Sequence, residues 1–231
     1  MQRYSVITQK QPREIVLLRG CGCAYRRCTF CDYHLDCSPD DEANYLLNKQ
    51  VLSQVTGIYG ELEVINSGAV FELDDRTLDE IKRVCKRVGI SVIHFEVHYM
   101  YKARLDDLRR DFDGFTLKIK LGLETFNRDF RENVMKKGIP DSDPSVISAG
   151  IDEANFLFGL TGQTEQSMAR DIELGLAHFD RICINIMCDN STPVKPDRKV
   201  IDIFKTRLYP IYKDDPRVDI LIENTDFGVG A

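Results

Sequence analysis

The chain has 231 residues, 43% of them hydrophobic, and its 31 lysines and arginines stand against 37 aspartates and glutamates for a formal net charge of −6. That length buries a sizeable core, no apolar run reaches the about 18 to 20 residues that span a bilayer, and the acidic balance opposes extensive binding along a phosphate backbone. A small-molecule substrate is therefore expected, with no membrane partner and no stable nucleic-acid binding, and reduced thiols in the cytoplasm are expected because Met1 to Lys10 carries no apolar leader segment.

In chain order, strand-like apolar runs alternate with longer segments of helical period. Ile15 to Leu18 is the first predicted strand, and Glu42 to Thr56 its helix, after the start signal Ser38-Pro39-Asp40-Asp41. Leu62 to Asn66 is the second strand. Asp75 to Val88 carries Leu78, Ile81, Val84, Cys85 and Val88 at helical spacing, and Gly89 stops it. Ser91 to Val97, Thr116 to Leu121, Ala154 to Gly159 and Ile182 to Met187 are strands three to six, with helices at Ala103 to Phe112, Arg128 to Lys136 and Gln163 to His178 between them. Val218 to Ile222 adds a terminal strand beyond Pro210 and Pro216. The alternation predicts an α/β fold of repeated strand-helix units around a parallel sheet, in a single domain over 1–231 whose short C-terminal extension closes the mouth.

Polar residues stand where the apolar runs stop. The first run leads into Arg19 and the cysteines, the second into Asn66-Ser67-Gly68, the third to Glu96 and His98, the fourth to Gly122-Leu123-Glu124-Thr125, and the sixth to Asp189-Asn190-Ser191. One polar strand end is ordinary; five together predict a shared mouth at the C-terminal strand ends. Acidic groups and amides gather there: Glu96, Asp189, Glu223 and Asp226 beside Asn66, Asn185, Asn190 and Asn224. Carboxylates suit paired N–H donors such as a guanine-like edge, and carboxylates or amides suit a diol. A solvated acidic rim is the plainer alternative.

Chemistry concentrates in the stretch Cys21, Cys23, Cys28, Cys31 and Cys37. Soft thiolates close together hold zinc or an iron–sulfur cluster. Any four of the five would close a zinc tetrahedron, giving a metal-binding interaction module, although a zinc ribbon ordinarily uses two separated cysteine pairs. Three ligands would instead leave one corner of a four-iron cluster open.

The segment Gly22-Cys23-Ala24-Tyr25-Arg26-Arg27-Cys28-Thr29-Phe30-Cys31 resembles the cluster loop of the radical S-adenosylmethionine (SAM) superfamily, in which three cysteines are spaced by three and two residues. Here Cys28 and Cys31 keep the two-residue spacing, whereas Cys23 and Cys28 enclose four residues, one arginine more. Cys21 stays open as a rival first ligand. Val64-Ile65-Asn66-Ser67-Gly68-Ala69-Val70-Phe71, and Gly122-Leu123-Glu124-Thr125 followed by Lys136-Lys137-Gly138, resemble further motifs of that superfamily. Glu96-Val97-His98 departs from the usual Glu-Ser-Arg at the third strand.

The resemblance implies a partial (β/α)6 barrel of TIM type and a [4Fe-4S] cluster on Cys23, Cys28 and Cys31. It implies SAM held by Phe30, Tyr33, Asn66, Ser67, Gly68 and Glu124, and a reduced cluster that yields a 5′-deoxyadenosyl radical. An electron donor such as flavodoxin or ferredoxin follows. Within the superfamily the chain is similar to carbon–nitrogen lyases of small deazapurines such as queuine, with Glu96, His98, Asn185, Asp189 and Asp226 on the substrate side. Another small molecule or a tRNA nucleotide is the alternative substrate. Cys85, Cys183 and Cys188 are expected as small buried hydrophobes, and Gly159 to Thr164 as a turn and helix start rather than a phosphate loop.

Overall fold

The computed structural model describes residues 2–223. Eight strands follow chain order in the sheet, β1 (Tyr4–Ile7), β2 (Arg13–Leu18), β3 (Glu61–Asn66), β4 (Val92–Val97), β5 (Thr116–Glu124), β6 (Glu153–Phe158), β7 (Arg181–Ile186) and β8 (Val218–Leu221). The β2–β3, β3–β4, β5–β6, β6–β7 and β7–β8 pairs are parallel, and β1 lies antiparallel to β2. Parallel strands joined by helical crossovers are the topology of the expected partial (β/α) barrel. Two compact units divide the chain, one of residues up to Arg26 with Tyr33–Ile119, the other of Arg27–Asp32 with residues from Lys120 on.

In the first unit, β2, β3 and β4 alternate with α1 (Asp41–Leu52) and α2 (Asp75–Val88). Each helix starts where the sequence supplies a cap: the Asp40 carboxylate accepts from the Ala43 amide, and that of Asp74 from the Thr77 amide. Gly89 closes α2 at φ 76°, a left-handed position that favours glycine. The core packs Val16, Leu18, Leu62, Val64, Ile93 and Phe95 of the strands with Ile81, Val84 and Cys85 of α2, all buried. Helix α1 ends four residues before the predicted Thr56 because the buried Glu14 carboxylate takes the amides of Thr56 and Gly57, at 2.8 and 2.6 Å. Strand β1 escaped the sequence reading, being four residues long with polar flanks. The segment before α3 (Leu105–Asp111) is a tight 3₁₀ stretch, Tyr99–Arg104, and not the start of that helix.

The second unit packs β6 to β8 with α5 (Glu165–His178) around Phe156, Phe158, Met168, Ile172, Ile182 and Ile184. The Gly159–Thr164 turn behaves as expected: Gly159 and Gly162 take φ 97° and 99°, and Thr164 caps α5 in a capping box with Ser167. One predicted element is altered and two lay outside the prediction. The predicted Arg128–Lys136 helix is shorter, helical over residues 128–134 with a π turn at Phe130–Val134, and α4 (Pro144–Ser148), shorter than two turns, lacks a periodic signature. Residues Arg198–Tyr212, for which no element was predicted, form α6 (Arg198–Ile203), a π turn and α7 (Tyr209–Tyr212), with Phe204 and Leu208 buried.

Charged groups are buried at the N-terminal strand ends of both units, where the apolar runs did not announce them. Arg13 pairs with Glu63 at 2.5 Å, and Arg181 with Glu153 at 2.8 Å and with Asp219. These pairs line the strand ends away from the polar residues at the C-terminal ends. Among the described residues no helix is long and apolar enough to cross a membrane.

Candidate cluster and cofactor site

The first unit carries Cys23 in a loop after β2, and three contacts hold that loop to strand ends. The Ala24 amide donates to Glu72 Oε1 at 2.7 Å, and Tyr25 stacks on His98 at the end of β4, ring centroids 4.3 Å apart. At the end of β3, Gly68 comes so close that a Cβ there would sit 3.1 Å from the Cys23 Cα and 1.8 Å from Glu72 Oε2. The same Glu72 carboxylate accepts from the Ala69 amide at 2.6 Å and from the Tyr101 hydroxyl at 3.0 Å. Burial next to that carboxylate pushes the Tyr101 pKa upward. Glu72 thus joins the cysteine loop, the Asn-Ser-Gly turn and the segment after β4. The sequence reading passed over it because a glutamate in a short 3₁₀ turn carries no periodic signal.

The extra residue of the loop is accommodated at Arg26. Its backbone takes a left-handed φ of 47°, and its guanidinium folds back to donate to the Cys23 carbonyl at 2.9 Å and to the Cys21 carbonyl at 3.2 Å. Cys21 is exposed, its thiol 3.6 Å from the Glu72 carbonyl, and it lines a cleft of about 170 Å³ with Asp41, Asn44 and Asp74.

Asn66 and Ser67, both buried, stand at the end of β3. Asn66 Nδ2 donates to the Ala69 carbonyl at 3.0 Å, while Asn66 Oδ1 is buried with no hydrogen-bond partner among the described residues. An orphaned buried acceptor is rare in a folded protein and marks a place for a donor from outside the chain. The Ser67 hydroxyl donates to the Asp36 carbonyl, and Asp36 pairs with Arg3 beside β1 at 2.5 Å. Tyr33 is exposed, Glu96 half-buried in β4 and His98 buried, with His98 Nδ1 accepting from the Met100 amide.

The second unit carries Cys28 and Cys31. Both pack against a buried cluster of Phe30, Met135, Leu157, Leu160 and Met187. Thr29 is fastened to the π turn, its amide to the Met135 carbonyl at 3.1 Å and its hydroxyl to the Val134 carbonyl at 2.7 Å. The Phe30 carbonyl accepts from Asn190 Nδ2 at 2.7 Å, and the Asp32 carboxylate accepts from Ser191. Behind this loop, Lys137 Nζ donates to Glu124 Oε1 at 2.8 Å and lies 5.6 Å from the Phe30 ring centroid. Burial works to lower the Lys137 pKa, but the charges of Glu124 and of the Cys28 and Cys31 sulfurs outweigh it and raise it. Glu124 sits past a register shift in β5 at φ 71°, the left-handed region that a glutamate seldom adopts.

A frame of buried polar groups holds the turn after Glu124. Asp171 accepts from the Thr125 hydroxyl at 2.6 Å and the Phe126 amide at 2.7 Å, and burial pushes its pKa up to about 6. Arg131, fully buried, donates to the carbonyls of Thr125 and Ile139, each at 2.9 Å, and of Asp141. Neither residue was singled out from sequence.

The remaining substrate-side expectations fare unevenly. Asn185 is half-buried in β7. Asp189 is exposed and paired with Lys195 at 2.8 Å, which holds its carboxyl below the usual carboxylate range. Asn224 and Asp226 lie outside the described residues. Cys85 is buried, its thiol pushed up to about 12 by burial, and Cys183 is buried in β7. Cys188, expected to be buried, is exposed past the end of β7 with its thiol 3.6 Å from the Ile186 carbonyl.

None of the eight cysteines is in a disulfide. Among the described residues no group of three histidine, cysteine, aspartate or glutamate side chains closes around a single metal ion. The donor chemistry nonetheless suits an iron–sulfur cluster with SAM: Cys28 and Cys31 share an apolar bed with a lysine charge behind it, and Asn66 offers an unsatisfied acceptor to an amino group.

No family model matches the chain, and no curated protein does. Among solved structures it is similar to the queuine lyase from Clostridium spiroforme bound to SAM and queuine, at 40% identity and a TM-score of 0.95, with all of each chain covered. Streptococcus suis SuiB bound to S-adenosylmethionine matches at 14% identity and a TM-score of 0.56 over 89% of this chain and 49% of its own. The second likeness is one of fold alone.

Proposed function

We propose that this chain, which belongs to the queuine lyase family, is a radical SAM lyase that cleaves a carbon–nitrogen bond of queuine and releases 7-aminomethyl-7-deazaguanine. The observation that carries the reading is the full-length match, at 40% identity, to a queuine lyase holding SAM and queuine. A [4Fe-4S] cluster and SAM, when bound, supply an electron and a 5′-deoxyadenosyl radical for hydrogen abstraction.

In this reading Cys23, Cys28 and Cys31 hold the cluster. Phe30 packs by the adenine of SAM and the backbone at Tyr33 meets its edge. Asn66 Oδ1 accepts from the SAM amino group, the satisfaction its burial requires. Ser67 keeps its lone pairs for SAM while its proton goes to Asp36. Gly68 leaves room at the Cys23 backbone, and the Glu124 carboxylate binds the ribose or methionine end. Glu96, His98 and Asn185 are the residues we assign to queuine. The electron comes from a flavodoxin or ferredoxin, and eight cysteines without a disulfide suit a reducing cytoplasm.

The test is an anaerobic assay of the iron-reconstituted protein with SAM, a reductant and queuine. 5′-Deoxyadenosine and 7-aminomethyl-7-deazaguanine are expected together, only when queuine is present. A brown, SAM-binding protein that forms neither product from queuine would move the substrate to another small molecule or a tRNA nucleotide; a colourless zinc protein would end the radical reading.

A further inference from the structure

Lysine is seldom fully buried, and burying its charge costs several kcal/mol unless a partner offsets it. Lys137 is buried, with its side chain 9% exposed and that of its partner Glu124 10% exposed. Several features of the second unit are shaped around its ammonium group. Gly122 makes room for it, since a Cβ there would sit 2.9 Å from Nζ and 3.1 Å from Glu124 Oε1. Glu124 takes a left-handed backbone to bring its carboxylate within 2.8 Å. The residues just before Lys137 are fastened to Thr29, between Cys28 and Cys31, so the backbone that carries Lys137 is tied to the cysteine loop. An apolar side chain would fill this space more cheaply if packing were its whole role.

We infer that Lys137 is a positioning residue with an electrostatic role: its ammonium group fixes the Glu124 carboxylate for SAM and, behind Cys28 and Cys31, makes the cluster they hold easier to reduce. The inference rests on the proposed function. Reduction adds a negative charge to an assembly that already carries thiolates, and a fixed cation in a low-dielectric setting favours the more negative state. The carboxylate aimed by the same cation is then preorganised, so that SAM binding need not spend energy ordering it.

The experiment compares Lys137→Met, Lys137→Gln and Lys137→Arg with the wild type in the full chain, each reconstituted with iron and sulfide without oxygen. Electron paramagnetic resonance at fixed solution potentials reads the reduced fraction, and equilibrium binding reads SAM affinity. In Lys137→Met the ratio of reduced to oxidised cluster at one potential should fall about tenfold, which is about 59 mV for a one-electron couple, and SAM should bind roughly tenfold more weakly. Lys137→Gln keeps a donor for Glu124 but no charge, so its reduced ratio should fall likewise while SAM affinity falls less. Lys137→Arg should restore most of both. A wild-type ratio in either neutral variant overturns the inference, and the glutamine variant decides if the methionine variant does not fold. A wild-type protein that holds neither cluster nor SAM is a different failure, which removes the proposed function and the inference with it.

Discussion

The carboxylate of Glu72 accepts the amide of Ala24 at 2.7 Å, so the residue after Cys23 is tied to a side chain 48 positions along the chain. With the Ala69 amide and the Tyr101 hydroxyl on the same carboxylate, charge-assisted bonds of this kind contribute about 1.5 to 3 kcal/mol each. Glu72→Ala leaves three donors without their acceptor. It should lower stability by on the order of 3 kcal/mol and the iron retained after reconstitution by more than half, with Glu72→Gln between the two. Iron assay and thermal unfolding check this; full iron in Glu72→Ala would show that the loop needs no such anchor.

The choice between Cys21 and Cys23 becomes a matter of iron content. Cys23 is backed by Gly68 and followed by the Glu72 anchor, whereas Cys21 lines a cleft with Asp41, Asn44 and Asp74. Cys23→Ser should lose most of its cluster and Cys21→Ser should keep it. Arg26→Ala removes the clamp that closes the enlarged loop; being exposed, it should melt like the wild type yet release iron several-fold faster in air. Retention of iron by Cys23→Ser would reverse the assignment.

Asn66 offers a separation of binding from folding. Its Oδ1 contributes nothing to the unliganded fold because nothing in the described chain satisfies it, while Nδ2 makes one bond to the Ala69 carbonyl. Asn66→Ala should therefore change stability by only about 1 kcal/mol but weaken SAM binding about tenfold, near 1.4 kcal/mol. Calorimetric titration with SAM alongside thermal unfolding reads both. Equal affinity in the variant and the wild type would remove Asn66 from the cofactor contacts.

Asp171 makes a prediction about pH. Its pKa is raised by burial from the ordinary 3.8 to about 6. The folded state therefore binds this proton more tightly than the unfolded chain, so stability from this group is greatest below about pH 4 and is lost as pH rises to about 6. At about 1.4 kcal/mol per unit, the change is on the order of 3 kcal/mol. The stability of the wild type relative to Asp171→Asn should fall across that window and stay flat above it, as denaturant unfolding at several pH values would reveal. A difference that rose with pH would mean that Arg131 and the two hydrogen bonds outweigh burial.

The strands and longer helices were legible because their apolar residues repeat at strand or helix period: α2 begins and ends at the predicted Asp75 and Val88. Cys28, Phe30 and Cys31 stood out through their resemblance to a known cluster loop, and the structure places Cys28 and Cys31 together against the buried cluster that contains Phe30. Glu72, Lys137, Asp171 and Arg131 were not assigned roles from sequence, since their importance lies in partners that no period brings together: Lys137 with Glu124, Glu72 with Ala24, Asp171 with Thr125, and Arg131 with the carbonyls of Thr125, Ile139 and Asp141. Short elements such as β1 and α4 were illegible for want of residues over which any period can repeat. Cys188 is exposed, against expectation, because β7 ends at Ile186 and no strand period fixes the side on which a thiol two residues later emerges.

Gly68 complicates how any mutational scan of this protein is interpreted. Even the smallest side chain there would collide with the Glu72 carboxylate and press on the Cys23 backbone, so every replacement would score as damaging, whether or not the glycine ever touches a ligand. Sensitivity at that position measures crowding, and the contacts that recognise SAM have to be sought at its neighbours, where a side chain can be trimmed without forcing another aside.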